Sequence, residues 1–197
     1  MQYKVKITGS TGMVGKGVLL ECLDHKLIKE ALVINRKTLN IDHPKLKEIL
    51  LKDFNEIEKI GPHLEGYNAC FFSMGISYIG ILKDTYERVT HDLTIKFSKV
   101  FLKYNPNSIF TYVSGAGTDS SESGKIHWAK IKGKTENKIL KMPFKASYMF
   151  RPGFIHPYRG VRSKTLWVNI LYIFFGIIYQ MLKYFPSTAT ISINVGK

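Results

Sequence analysis

The chain has 197 residues, 45% of them hydrophobic and 22% charged, a balance that excludes a disordered chain and can supply one buried core. Its formal net charge of +14 and pI near 9.7 raise the question of nucleic acid or an anionic surface. Lys and Arg are dispersed through every segment rather than gathered in a block, so no specific nucleic-acid partner is expected from charge.

Tyr3, Val5 and Ile7 alternate as in a strand, and Thr8-Gly9-Ser10-Thr11-Gly12-Met13-Val14-Gly15 follows directly. Glycines spaced by three let the backbone turn sharply, let a pyrophosphate approach and let helix and strand pack closely, while a helix start offers unpaired N–H groups to an anion. The eight residues therefore read as a dinucleotide cradle, with Gly9, Ser10, Thr11, Gly12, Met13, Val14 and Gly15 as cofactor-binding candidates. A helix carrying Val14, Val18, Leu19, Cys22 and Leu23 is expected next, then a buried strand over 31–35. A strand over 47–51, a brief helix over 57–64 and a buried strand over 69–73 continue the series. A long helix is predicted over 83–103, stopped by Asn105-Pro106-Asn107, before a strand over 109–114 that ends at Gly115-Ala116-Gly117. A helix over 125–141 and a strand over 146–151, closed by Pro152-Gly153, complete the alternation. Strands alternating with helices imply an α/β, doubly wound parallel sheet of Rossmann type, helices on both faces, over 1–158.

Residues 159–197 form a basic and apolar extension. Arg159, Arg162 and Lys164 precede an apolar run from Leu166 to Leu182. Two readings stand: a helix packed on the protein or a partner, and contact with a membrane surface through 164–185. The stop at Lys197, where such a domain usually continues, suggests a truncated product. The amino terminus shows no apolar leader, so no cleavable signal is expected.

Asn35-Arg36-Lys37 follows the second strand, where dinucleotide folds read the adenosine ribose. Arg36 can pair with a 2′-phosphate, which favours NADP over the alternative, NAD; a solvated basic turn is the plainer reading. Asp53 and Phe54, after the third strand, could meet an adenine amino group and ring, or Asp53 could cap the following helix. Ser73 and Gly75 end the fourth strand with the small side chains that a close backbone approach needs.

These residues, with Val113-Ser114-Gly115-Ala116, Lys132-Gly133-Lys134-Thr135-Glu136 and Phe150-Arg151-Pro152-Gly153, resemble the short-chain dehydrogenase/reductase superfamily. The likeness is to its atypical, NAD-dependent epimerase/dehydratase-like members with a TIP30-like pattern, over about residues 3–158. It implies that Ser114 holds the substrate oxygen, that Lys132 binds the nicotinamide ribose, and that Pro152 and Gly153 present backbone to the nicotinamide amide. It also implies a tyrosine four residues before the lysine, where this chain has Trp128. An indole N–H donates a hydrogen bond but does not titrate usefully, so the ordinary proton relay is missing. His127, Tyr112, Tyr148, His156 and Tyr158 are the candidate replacements, and His127 is expected to point away on the helix.

Two functions remain. One is an NADP-dependent oxidoreductase- or epimerase-like enzyme acting on a small carbonyl or hydroxyl compound. The other is a cofactor-binding regulatory or scaffold protein with a protein partner, a membrane surface or a second copy of itself. Cys22 and Cys70 read as buried free thiols in a reducing cytoplasm, and His25, His43, His63 and His91 lack ligand spacing, so no metal site is expected.

Overall fold

The computed structural model describes residues 2–156 and 189–191. Strand β1 (Tyr3–Thr8) runs into helix α1 (Met13–Asp24), followed by β2 (Ile28–Asn35) and β3 (Leu46–Leu50). A 3₁₀ run over Phe54–Leu64 leads to β4 (Ala69–Phe72). Helix α2 (Lys83–Glu87), a π turn (Arg88–Asp92) and α3 (Leu93–Tyr104) then form one continuous helical stretch. Strand β5 (Ile109–Val113), helix α4 (His127–Leu140), β6 (Ala146–Phe150) and a short β7 (Phe154–His156) follow.

The first six strands are all parallel and lie in the order β3-β2-β1-β4-β5-β6. The order reverses between β1 and β4, and in such sheets a ligand crevice opens beyond the carboxyl ends of those two strands. The expected doubly wound α/β fold is thus present.

Each face of the sheet has its own apolar layer. Val5, Ile7, Ala31 and Val33 pack under Val18, Leu19 and Cys22 of α1, with Leu39 and Ile41 of the β2–β3 loop packed against the same layer. On the opposite face, Phe72, Phe97, Phe101 and Phe110 pack ring against ring, the Phe72 and Phe97 centroids 5.2 Å apart. Removing one such ring costs about 3–5 kcal/mol.

Local chemistry sets the element ends. Asn105 stops α3 by leaving helical geometry, and its side chain bonds Tyr67 N–H and the carbonyls of Leu64 and Phe101. Asp53 caps the 3₁₀ run, which starts three residues earlier than the apolar spacing suggests and kinks at Glu56. The long helix expected over 83–103 contains the π turn, which periodicity alone does not reveal.

A further parallel pair, β7 with β8 (Ala189–Ile191), links residues on either side of the boundary placed at 158. The expected helical extension, including Arg159, Arg162, Lys164 and the 166–182 run, otherwise lies outside the described residues, as does Tyr158. Among the described residues no helix is long and apolar enough to cross a membrane.

Candidate functional site

The glycine turn is built by close backbone approach. Gly9 sits at φ +69°, and a Cβ there would lie 2.5 Å from the Ser73 carbonyl oxygen. Gly12 N–H bonds the Gly9 carbonyl at 2.8 Å and then starts α1 with no side-chain cap. The first N–H groups of the helix are therefore left without a side-chain cap, an arrangement that favours an anion. Gly15 serves a different purpose: a Cβ there would fall 2.3 Å from the Gly9 carbonyl oxygen, so its bareness lets the helix seat on the turn.

A cleft of about 430 Å³ opens beside this turn at the switch point. Gly9, Thr11, Gly12, Arg36, Asp53, Phe54, Ser73 and Gly75, all singled out from sequence, line it together. Ser10, Met13, Val14 and Gly15 belong to the same turn but do not line the cleft. Ser10 is buried, and its hydroxyl donates to Asn35 Oδ1 at 2.8 Å; Val14 packs into the layer under α1.

Polar links fix the cleft walls. Ser73 Oγ donates to the Thr8 carbonyl at 2.7 Å, tying β4 to β1. Asn35 Nδ2 donates to Glu48 Oε1 at 3.0 Å, and Glu48 also accepts from Thr38 Oγ1 and Leu39 N–H. Glu48 thereby holds the turn that carries Arg36, a role that its place in β3 did not announce. Asp53 accepts from the Asn55 backbone and side-chain amides, both at 2.9 Å, while facing the cleft. Lys52 and Arg88 also line it. Lys52 could have been read from its place beside Asp53, but Arg88 had no signal in sequence.

Ser114, Lys132, Pro152 and Gly153 are not in that lining; they gather at the ends of β5 and β6. Ser114 Oγ shares a 2.9 Å hydrogen bond with Thr118 Oγ1, and Thr118 Oγ1 donates to the Gly115 carbonyl at 2.7 Å. Lys132 Nζ donates to the Ser114 carbonyl at 2.9 Å, and burial brings its pKa down to about 8 against the pull of Glu136. Ala116 N–H bonds the Pro152 carbonyl at 2.8 Å, which stitches the two strand ends together. Glu136, almost fully buried, accepts the Arg151 Nε–H in a bond shared between its two carboxylate oxygens, at 3.0 and 3.1 Å.

The Trp128 ring lies over Gly117, which is held at φ +82° and where a Cβ would be 3.3 Å from the indole. Tyr112 is buried, its phenol pushed up by desolvation, with Lys132 Nζ 5.8 Å from its ring centroid. Tyr148 is 55% exposed on β6. His127 stacks on Tyr78, centroids 5.8 Å apart, and its Nδ1 is buried without a hydrogen-bond partner among the described residues. His127, expected to point away on the helix, is thus partly enclosed, since the β4–α2 loop folds Tyr78 against it. Of His156 only the backbone, in β7, is described. No cluster of three metal-ligating side chains occurs among the described residues.

No protein-family model matches the chain. Protein HTATIP2 of Rattus norvegicus is 27% identical over 158 residues, covering 79% of this chain and 64% of that protein. The chain therefore spans less than two thirds of that relative's length. A mitochondrial fmp52 protein of Aspergillus clavatus is 23% identical over 188 residues, 91% of this chain and 78% of the relative. Among solved structures, a short chain dehydrogenase from Burkholderia cenocepacia in complex with NADP aligns with a TM-score of 0.64 at 14% identity, covering 84% of this chain and 80% of that one. The Bordetella bronchiseptica enzyme WbmG, in complex with NAD and UDP, aligns with a TM-score of 0.64 at 13% identity, covering 83% and 57%. Strand order, glycine turn and these likenesses together make the chain a Rossmann-fold protein, similar in sequence to HTATIP2 and in fold to a short chain dehydrogenase.

Proposed function

We propose that the chain binds a nicotinamide dinucleotide in the switch-point cleft, NADP(H) in preference to NAD(H), and acts as an oxidoreductase- or epimerase-like protein on a small carbonyl or hydroxyl compound. The observation that carries this reading is the uncapped start of α1 at Gly12, which faces a cleft that also holds Arg36. The residues fit the group: the bare Gly12 leaves room for a pyrophosphate, Phe54 offers an apolar wall for an adenine, and Arg36 can meet a 2′-phosphate. The NADP bound by the Burkholderia cenocepacia dehydrogenase and the NAD bound by WbmG support the same class of cofactor.

When bound, the nicotinamide supplies or accepts a hydride. Ser114 Oγ, steadied by Thr118, orients the substrate oxygen by a hydrogen bond. Lys132, anchored on the Ser114 carbonyl, would hold the nicotinamide ribose and supply positive charge near the substrate oxygen. Trp128 stands where the resembled enzymes place their tyrosine and can donate a hydrogen bond but not a proton. The proton is then exchanged with water or with a titratable neighbour.

A second reading is a cofactor-binding regulatory or scaffold protein, and the observation favouring it is the non-titrating indole of Trp128 at that position. A fluorescence titration of the purified chain with NADPH and with NADH tests the binding, and NADPH absorbance in the presence of a panel of aldehydes and ketones tests turnover. Tight NADPH binding with turnover supports the enzyme; tight binding without turnover supports the regulatory reading. Failure to bind either dinucleotide overturns both.

A further inference from the structure

Several cations near the sheet are ion-paired: Lys47 with Glu30 at 2.8 Å, Lys134 with Glu87 at 2.8 Å, and Arg151 with Glu136. The cleft is different. Arg36, Lys52 and Arg88 all line it, and among the described residues none of the three side chains has an ion-pair or hydrogen-bond partner. The single acid in the lining, Asp53, turns its carboxylate to Asn55.

The three cations fall into two groups. Arg36 follows Asn35 at the end of β2, and Lys52 follows Leu51, whose N–H bonds the Asn35 carbonyl at 2.8 Å. They therefore stand on adjacent strand ends. Arg88 comes from the helical stretch after β4 and lines the cleft with Val89, Met74 and the glycine turn. It opens the π turn, in which Leu93 N–H reaches back five residues to the Arg88 carbonyl. Asp92, four residues on and a natural partner for Arg88 on a helix, instead lines a separate surface groove with Glu58 and Lys96. Such turns often occur at functional sites.

We propose that this cleft is a two-pole anion site: Arg36 and Lys52 clamp one phosphate at the ribose end, and Arg88 closes over a pyrophosphate held by the start of α1. The proposal rests on the dinucleotide reading above and adds Lys52 as a residue that selects the 2′-phosphate and Arg88 as one that holds either cofactor. A 2′-phosphorylated dinucleotide carries its negative charge at these two separate places. Charged hydrogen bonds of this kind are individually strong enough to be read in binding.

Calorimetric titration of the whole chain with NADPH and with NADH distinguishes the two poles. Lys52→Ala is expected to weaken NADPH about tenfold and leave NADH unchanged, whereas Arg88→Ala weakens both by a similar factor of about ten. Arg88→Met, which keeps the aliphatic stem, is expected to lose as much, and Arg88→Lys to recover part of the loss. Circular dichroism melts of each variant separate lost contacts from lost fold. Unchanged affinity for both cofactors in folded Arg88→Ala and Arg88→Met, or an equal loss for both in Lys52→Ala, overturns the two-pole assignment. A wild-type chain that binds neither cofactor overturns the underlying dinucleotide reading instead.

Discussion

Lys132 is tied to Ser114 through the backbone: its Nζ donates 2.9 Å to the Ser114 carbonyl oxygen, while the Ser114 hydroxyl is engaged with Thr118. The two residues that the family resemblance marks for chemistry are thus locked together without a tyrosine. Burial brings the Lys132 ammonium down to about 8 from 10.5, so it is charged below that pH and neutral above it. Any step that needs the charge, whether NADPH retention or carbonyl reduction, is expected to decline as pH rises through about 8. Titration of NADPH at pH 6.5 and 9.5 checks this, with Lys132→Met expected to bind more weakly and to lose the pH dependence.

Trp128→Tyr places a phenol four residues before Lys132, on the same helical face. Carbonyl reduction is expected to rise, toward the roughly 10²- to 10⁴-fold that a general acid contributes. Trp128→Phe is expected to leave turnover nearly unchanged, because neither ring titrates near neutral pH. Loss of turnover in a folded Trp128→Phe with intact NADPH affinity would show instead that the indole contacts substrate.

Lys6 is fully buried in the sheet, with Nζ 3.6 Å from the Tyr67 ring centroid and one acceptor, the His63 carbonyl, at 3.3 Å. Burial brings its pKa down to about 7 from 10.5. Between those values the unfolded chain binds a proton that the folded chain does not, so stability rises with pH through that window. Below about 7 both states hold the proton, and the full desolvation cost remains. Cys22, pushed up to about 12 by burial, and Cys70, pushed up as well, act oppositely above pH 9 because the folded chain keeps their protons. Urea unfolding is therefore expected to show stability level below about pH 7, climbing from there to about 9 and then levelling or falling. Lys6→Met is expected to flatten the climb and to stabilise the fold at pH 6 by about 1–3 kcal/mol.

Gly15→Ala is expected to destabilise the fold by about 1–3 kcal/mol, since the new methyl meets the Gly9 carbonyl and Ser73 Oγ and the turn must shift. Gly12→Val differs, because a Cβ there lies 3.2 Å from the Gly9 carbonyl, a smaller clash, and Gly12 lines the cleft. That variant is expected to fold yet lose NADPH. Thermal melts alongside fluorescence titration separate the two effects.

Much of the fold was legible in the chain because each level of local chemistry agreed. Alternating and continuous apolar runs marked β1 to β6, glycine and proline marked their ends, and the motif at 8–15 marked the crevice. Eight of the marked residues do line one cleft, since the turns after β1, β2, β3 and β4 all open at the carboxyl edge of one parallel sheet. Other features depended on where distant segments meet. Nothing local distinguishes Ser10, whose hydroxyl turns inward to Asn35, from Thr11, which lines the cleft. Arg88 reads as an ordinary helix-surface cation until the helix carrying it is packed beside the glycine turn. Lys6 reads as the polar face of a strand, and only the stacking of Tyr67 and the 3₁₀ run over β1 buries it. Sequence thus determined which segments turn, extend and coil, because those choices rest on backbone sterics and the period of apolar residues. Only the tertiary structure decided which charges remain unpaired, because that depends on which partners the fold brings within a few ångströms and which it leaves facing an open cleft.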